Sequence, residues 1–333
     1  MTDQPFVSVV TPFYNTALYL RECIESVLAQ THSNFEYLLV DNKSTDGSGQ
    51  IADYYAARDS RIRVIRNPEF LDQVPNYNGA LRHVAKEARY VKMVLADDYI
   101  FPECLARMVA VGESHPTAAI ISSYYLEGKF VCGSGLEWPT ECIPGRIASR
   151  LHLLDNLYLF GTPTNVMYRA DVVAKRDPFF SESSMHEDTE ACHEILAEAD
   201  LGFVHQVLTF SRRGNEGVLT AIESFQWRRS FIYTILRKYG PVYLSRDELP
   251  QRLGPARADF LRVLGEGVIL SREPEFWAYH QRALTTIGER LPSKIALTPQ
   301  IARAAVKAAL RPGWLLRERA ALRNRRNGHR EKA

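Results

Sequence analysis

The sequence predicts an α/β protein with a mostly parallel sheet and helices on both of its faces. Three observations carry that reading. Short β-rich runs alternate with amphipathic segments through the first half of the chain. The segments between the runs place apolar residues at helical spacing, as Leu20, Ile24, Val27 and Leu28 do. The polar clusters follow the strand candidates, which is where open α/β sheets bind ligands.

The elements follow in order. Phe6–Thr11 is a strand, and Leu18–Gln30 a helix with Asn15 or Thr16 as its cap. Phe35–Val40 is the second strand, and the polar run Asp41–Gly49 leads to a helix over Gln50–Arg58. Ile62–Ile65, a helix over Asn76–Glu87 and a strand over Tyr90–Leu95 come next. Pro102 suits the first turn of a helix reaching Ser114, before a strand at Ala118–Tyr125. The second half is less regular. Glu127–Gly145 reads as loops or a hairpin, Ile147–Phe160 as helix, Thr164–Tyr168 as strand and Ala170–Ala174 as a short helix. Asp188–Glu198 is a helix and Phe203–Phe210 a strand. Beyond that the pattern is helical, over roughly 219–238, 249–265, 273–290 and 297–310. We expect a catalytic domain over 1–240 and a helical extension with a basic tail over 241–333.

Composition narrows the class. With 333 residues, 46% hydrophobic and 24% charged, the chain is an ordinary globular protein able to bury a full core. Its five Cys show neither CxxC nor zinc spacing and read as buried thiols of a reducing compartment. No basic-then-apolar leader and no run of apolar residues long enough to span a bilayer is present, so we expect a cytoplasmic protein. The net charge of +2 is unevenly placed: residues 301–333 hold ten Lys/Arg against two Glu, leaving the rest acidic. That argues for an anionic partner of the tail, or simply a solvated tail, and against nucleic-acid binding by the whole protein.

Four polar groups fall at strand ends: Thr11-Pro12-Phe13-Tyr14-Asn15, Asp41 to Gly47, Gln73 to Asn78, and Asp97-Asp98. None is a GxGxxG or GxxxxGK[ST] loop, so neither a dinucleotide fingerprint nor a phosphate loop is present. Carboxylates dominate instead, and carboxylates repel phosphates unless a hard cation bridges them. Asp97 is therefore a candidate ligand of Mg²⁺ or Mn²⁺, with loop capping by Asp97 and Asp98 as the local alternative. Asp41 is either a nucleotide contact or a turn carboxylate bonded to its own backbone. Asp188, at the start of an apolar helical run, reads first as a helix cap, with Glu190 in the first turn. His193 reads as structural.

The stretches SVVTPFYN and AQTHSNFEYLLVDNKSTDGS, followed by VPNYNGAL, ADDYIFPECL and HEDTE, closely resemble family 2 glycosyltransferases over about residues 5–215. The resemblance implies the GT-A nucleotide-diphospho-sugar transferase fold with a C-terminal helical extension. It implies a metal-dependent, inverting transfer from a nucleotide sugar, most often UDP-linked, to a hydroxyl of a glycan or glycolipid. Carried over by position, Thr11, Pro12 and Tyr14 lie against base and ribose, Asp41 bonds the base and Asn76 lines the donor site. Asp97 is the metal ligand and Asp98 its helper on the donor side. Asp188 is the catalytic base, kept ionised by its helix, with Glu187 orienting acceptor or donor sugar. Arg212, in preference to Arg213, meets the diphosphate. Three positions depart from the family pattern. Leu95 replaces the first Asp of the metal motif, Asn42 a second Asp, and Lys43 a Gly. Leu95 keeps a noncatalytic sugar-nucleotide-binding protein open as an alternative. A nucleotidyltransferase would instead carry a Gly-rich basic loop at residues 11–16.

The end of the chain, Ile301–Arg330, sets Trp314, Leu315 and Leu316 among basic residues. That composition suits an anionic membrane surface at the inner face of the membrane. Packing of Trp314 on the protein body is the alternative.

Overall fold

The computed structural model describes residues 4–213, 222–313 and 315–320. Trp314, the start of the helix expected from 219, and the tail from 321 onward lie outside the described residues. The chain forms two compact units that part between Arg213 and Gly214. The sequence set the catalytic boundary further on, at 240.

The first unit is the α/β body. Strands β1 (Val7–Phe13), β2 (Phe35–Asp41), β3 (Ile62–Arg66) and β4 (Tyr90–Met93) are separated by helices α1 (Leu20–Leu28), α2 (Ser48–Ala56) and α3 (Gln73–Leu81). After β5 (Tyr99–Ile100) come α4 (Cys104–Ser114), β6 (Ala118–Glu127), β7 (Phe130–Cys132) and β8 (Cys142–Ile143). The unit closes with α5 (Gly145–Asp155), β9 (Met167–Arg169), α6 (Ala170–Ala174), α7 (Glu187–Ile195) and β10 (Asp200–Ser211). The strands make one sheet in the order β3-β2-β1-β4-β9-β6-β10-β5. β1, β2, β3 and β4 run parallel, as do β6 and β10, while the short β9 is antiparallel to both β4 and β6. β7 extends the β6 edge and β8 the β10 edge.

Side chains alternate between the faces of each strand, so every covered strand feeds two cores. Val10, Leu38, Val91, Ile120 and Phe203 pack on one face, and Val9, Leu39, Tyr90, Ile121 and Val204 on the other. Pro12 is accommodated within β1 because β1 pairs with β4 only as far as Val10, so beyond it no bond to β4 is lost.

Several boundaries differ from the sequence expectation. β4 stops at Met93, because the amide of Leu95 donates to Thr164 Oγ1 (3.0 Å) instead of continuing a ladder. α3 begins at Gln73 rather than Asn76. α5 ends at Asp155 because Asn156 adopts a left-handed conformation (φ 57°).

The second unit is helical over its described residues, with α8 (Trp227–Tyr243), α9 (Glu248–Ile269), α10 (Pro274–Thr285) and α11 (Thr298–Leu310). Tyr233, Phe260, Val263, Leu264, Phe276, Leu284 and Leu297 form its core. Among the described residues, no helix is long and apolar enough to cross a membrane.

Candidate active site

The parallel strands β1, β2 and β4 end side by side, and their loops are bonded to one another. After β1, the amide of Asn15 donates to Ser44 Oγ (3.1 Å) and that of Thr16 to Ser48 Oγ (2.9 Å). The Ala17 amide donates to Asp46 Oδ2 (2.9 Å), and Asn15 Oδ1 accepts from the Thr45 amide (2.8 Å). These bonds let Asn15 (φ 50°) and Lys43 (φ 64°) keep left-handed backbone that costs a non-glycine residue about 1 kcal/mol. Lys43 thus holds the conformation for which the related family often uses Gly.

Asp41 ends β2 and is buried. Its Oδ1 accepts from the Ser44 amide (2.8 Å). Its Oδ2 lies 2.9 Å from where a Cβ on Gly49 would stand, so the first turn of α2 approaches the carboxylate this closely only because residue 49 is Gly. Asn42 is buried as well and serves the neighbouring loop. Its Nδ2 donates to the Leu71 carbonyl (2.7 Å), and its Oδ1 accepts from the Leu71 amide (3.0 Å) and from Asn67 Nδ2 (2.9 Å). Asn67 Nδ2 also donates to Asn76 Oδ1 (2.9 Å). Three amides therefore brace residues 67–72, and Phe70 in that loop meets Tyr14 edge to face, with ring centroids 4.8 Å apart. Both rings are exposed. Thr11, by contrast, turns its side chain into the core, with Oγ1 3.0 Å from Tyr37 Oη.

Asp97 and Asp98 lie in a turn that the Asp98 amide closes by donating to the Leu95 carbonyl (2.9 Å). The two aspartates differ in surroundings. Asp98 is buried and accepts three bonds: from Thr164 Oγ1 (2.7 Å), Ser211 Oγ (3.4 Å) and the Arg212 amide (2.9 Å). Burial and then the Asp97 charge push its carboxyl up to about 7. Asp98 therefore ties β4's end to β10's end. Asp97 keeps partial exposure. Arg212 reaches the same turn. Its Nε donates to the Asp97 carbonyl (2.9 Å), its guanidinium pairs with Glu22, and it lies 4.7 Å from the Tyr19 ring centroid. Arg213 pairs instead with Glu127 at the end of β6. Beneath the turn, the fully buried Lys92 donates to the carbonyls of Thr164 and Val166. Burial lowers its ammonium's affinity for the proton. Leu95 packs against the core face that holds Val91 and Met93.

The second carboxylate cluster opens α7. Glu187 and Asp188 occupy the first turn, and no side chain caps it. Asp188 Oδ1 accepts from the Thr189 amide (2.6 Å). Burial outweighs the Thr189 bonds and raises the Asp188 carboxyl above its ordinary range. Both residues are partly exposed as whole residues, although protein packs densely around their carboxyls. Burial and then Asp188 push Glu187 up to about 7, and Gln73 Nε2 lies 3.5 Å from its Oε1.

The charges of both clusters reach one buried hydroxyl. The buried Tyr77 hydroxyl is pushed up by burial and by the charges of Glu187, Asp97, Asp98 and Asp188 together. Tyr125, Tyr158 and Tyr168 also feel Asp188. Tyr158 Oη lies 2.7 Å from Thr189 Oγ1, next to Asp188 in sequence. Sequence reading missed Tyr77, Thr164, Ser211, Lys92 and Phe70. Lys92 alone carried a visible signal, as a cation inside an apolar strand. His193 is structural: its ring stacks on His152 at 5.1 Å and its Nδ1 lies 3.1 Å from Ser149 Oγ. Among the described residues no three His, Cys, Asp or Glu side chains group to hold a metal.

Strand ends that carry carboxylates beside an exposed aromatic pair fit the class of enzymes that handle nucleotide-linked sugars. Residues 8–176 match the Glycosyl transferase family 2 model, and the chain belongs to that family. It is 26% identical to glycosyltransferase GlyG of Streptococcus pneumoniae serotype 4 over 250 residues, 72% of this chain and 81% of GlyG. It is 39% identical to EpsE of Bacillus subtilis over 116 residues, 34% of this chain and 41% of EpsE. The chain thus spans most of the first relative's length and less than half of the second's. Among solved structures, S. aureus TarS residues 1–349 in complex with UDP-GlcNAc covers 97% of this chain and 92% of its own, with TM-score 0.60 and 19% identity. The mannosyltransferase PcManGT of Pyrobaculum calidifontis, in complex with GDP-Man and Mn²⁺, gives TM-score 0.55 at 18% identity, covering 92% and 87%. The fold is the α/β GT-A architecture with a C-terminal helical extension, and the chain is a glycosyltransferase acting on a nucleotide-sugar donor.

Proposed function

We propose that the protein transfers a sugar, with inversion, from a UDP-linked donor to a hydroxyl of a glycan or lipid-linked acceptor, using Asp188 as base. The observation that carries this reading is the presence of two carboxylate clusters, one in the turn after β4 and one at the start of α7, whose charges all act on the buried Tyr77 hydroxyl. A base on one wall and a leaving-group site on the other are what single displacement requires.

Asp41, braced between the Ser44 amide and α2, is suited to accept from the N3–H of a uracil ring. The exposed Tyr14–Phe70 pair offers apolar surface to the base, while Pro12 and the backbone of Thr11 shape its edge. Asn76 acts through Asn67 and Asn42, holding the Phe70 loop. Asp97 stands on a turn fixed by Asp98, Thr164 and Arg212, so its carboxylate is held on a rigid support. With Asp98's oxygens bonded to protein donors, the residues fit a cation taking one protein carboxylate and filling its other positions with diphosphate oxygens. A bound Mn²⁺ or Mg²⁺ there supplies charge neutralisation to the departing diphosphate. Arg212 adds positive charge beside the same turn. Asp188, raised by burial, takes the acceptor proton more readily than an exposed carboxylate does. Glu187 orients the acceptor or the donor sugar.

We further propose that the basic C-terminal segment brings the enzyme to an anionic membrane surface on the cytoplasmic side, and that residues up to 240 complete the catalytic domain. The test is transfer from a panel of UDP- and GDP-sugars with Mn²⁺ or Mg²⁺, for wild type and Asp188→Asn. The expected loss in turnover is about 10²–10⁴-fold with donor affinity unchanged. Turnover by Asp188→Asn within threefold of wild type would remove Asp188 as base.

A further inference from the structure

Among the described residues of the second unit, the exposed large apolar side chains other than Val242 fall in one stretch of the chain. Ile295 (86% exposed), Val306 (57%), Leu310 (78%) and Leu316 (68%) fall within twenty-two consecutive positions. Helix α11 has an inner face that is accounted for. Its Ala304 is buried, Lys307 Nζ donates to Glu266 Oε1 on α9 (2.7 Å), and Gly265 of α9 lies so close to Gln300 that a Cβ there would stand 2.6 Å from it. Val306 and Leu310, four residues apart, share a face of α11. Ala304 and Lys307 point elsewhere, so this apolar face is not the one that packs on α9. A surface helix ordinarily shows polar residues to water and apolar ones to its neighbour. Here the outward face carries Val306 and Leu310, with Arg303 and Arg311 exposed beside them. Lys294 adjoins Ile295, and Arg317 follows Leu316.

We propose that this face of α11, with Ile295 before it and Leu316 after it, docks on an anionic phospholipid bilayer. The charge pattern selects that occupant. Apolar side chains of modest depth flanked by arginines match an acyl boundary beneath negative headgroups. The surrounding sequence carries ten Lys/Arg against two Glu over 301–333 and so attracts the same surface. The inference rests on the membrane-partner reading given above and adds which residues enter the lipid. The basic tail alone would give a purely electrostatic attachment, whereas this face makes the attachment partly hydrophobic and resistant to salt.

Co-sedimentation of the full chain with vesicles of phosphatidylglycerol and phosphatidylcholine, against phosphatidylcholine alone, tests it. Variants are Val306→Ser/Leu310→Ser/Leu316→Ser and Arg303→Gln/Arg311→Gln/Arg317→Gln, each checked for unchanged circular dichroism and donor turnover. Wild type should bind the anionic vesicles and retain binding at 0.5 M salt. The Ser variant should bind at least about tenfold more weakly, the effect of withholding a few apolar side chains from lipid. The Gln variant should lose binding chiefly through weaker attraction at low salt. If the Ser variant binds like wild type, the docking face is wrong and the electrostatic tail reading stands alone. Wild type that binds neither vesicle overturns both. If sedimentation velocity shows a concentration-dependent dimer that the Ser variant abolishes, and no lipid binding, the face is a contact between copies and the proposal fails.

Discussion

Substituting Asn42→Asp would restore the residue that the related family commonly carries, yet the structure predicts damage. Asn42 is buried, and its Nδ2 donates to the Leu71 carbonyl at 2.7 Å. A carboxylate has no donor to offer there. One net hydrogen bond is lost, worth about 1 kcal/mol, and a buried carbonyl then faces a like-charged oxygen, adding roughly 1–3 kcal/mol. The bonds that Oδ1 accepts from Asn67 and the Leu71 amide survive. A loss of about 3 kcal/mol corresponds to roughly 6–12 °C in the unfolding temperature of a unit of this size. Hydrogen exchange over residues 66–78 should rise more than elsewhere, because the strain releases the loop holding Phe70. Protonation restores a donor, so the deficit at pH 8 should shrink at pH 5. A deficit under 1 kcal/mol, or one independent of pH, would refute the assignment of Asn42 as the donor bracing this loop.

The neighbouring departure should behave in the opposite way. Lys43→Gly relieves a left-handed non-glycine residue and should leave stability equal or raise it by up to about 1 kcal/mol, read by thermal unfolding. Gly49→Ala places a methyl 2.9 Å from Asp41 Oδ2, so titration calorimetry with a UDP-sugar should show affinity down about tenfold with the fold intact. Glu187, raised to about 7 against about 4.3 unfolded, binds its proton more tightly in the native state. Its contribution is full below about pH 4.3 and is lost as pH rises through about 7. Glu187→Gln should therefore gain on wild type in unfolding temperature between pH 5 and pH 8. His152, lowered to about 4 by burial, has the reverse sense, since the unfolded chain takes the proton first. Wild-type stability arising from it falls as pH drops from about 6.5 towards 4, and a His152→Phe variant should show a shallower acid slope.

The sheet was legible because its determinants are local. Strand runs such as Phe35–Val40 and helices such as the one holding Leu20, Ile24 and Val27 declare themselves by spacing alone, and β2 and α1 lie where expected. What the sequence concealed is long-range. β9 pairs antiparallel between β4 and β6, and no pattern within Thr164–Tyr168 states a direction. Thr11 lies in a motif that points to the nucleotide, but strand alternation turns its side chain to Tyr37. The adjacent aspartates show the limit most sharply. Local pattern alone makes Asp97 and Asp98 equivalent carboxylates at a strand end, and only the family resemblance tells them apart. Their difference comes from Thr164 and Ser211, 66 and 113 residues away, which claim Asp98. Those bonds also bear on the Leu95 departure. The turn is held from outside by Asp98, by Thr164 on the Leu95 amide and by Arg212 on the Asp97 carbonyl, so residue 95 contributes its backbone to the turn and its side chain to the core. A carboxylate at 95 is thus not required for the support on which Asp97 stands, and a leucine there leaves that support in place.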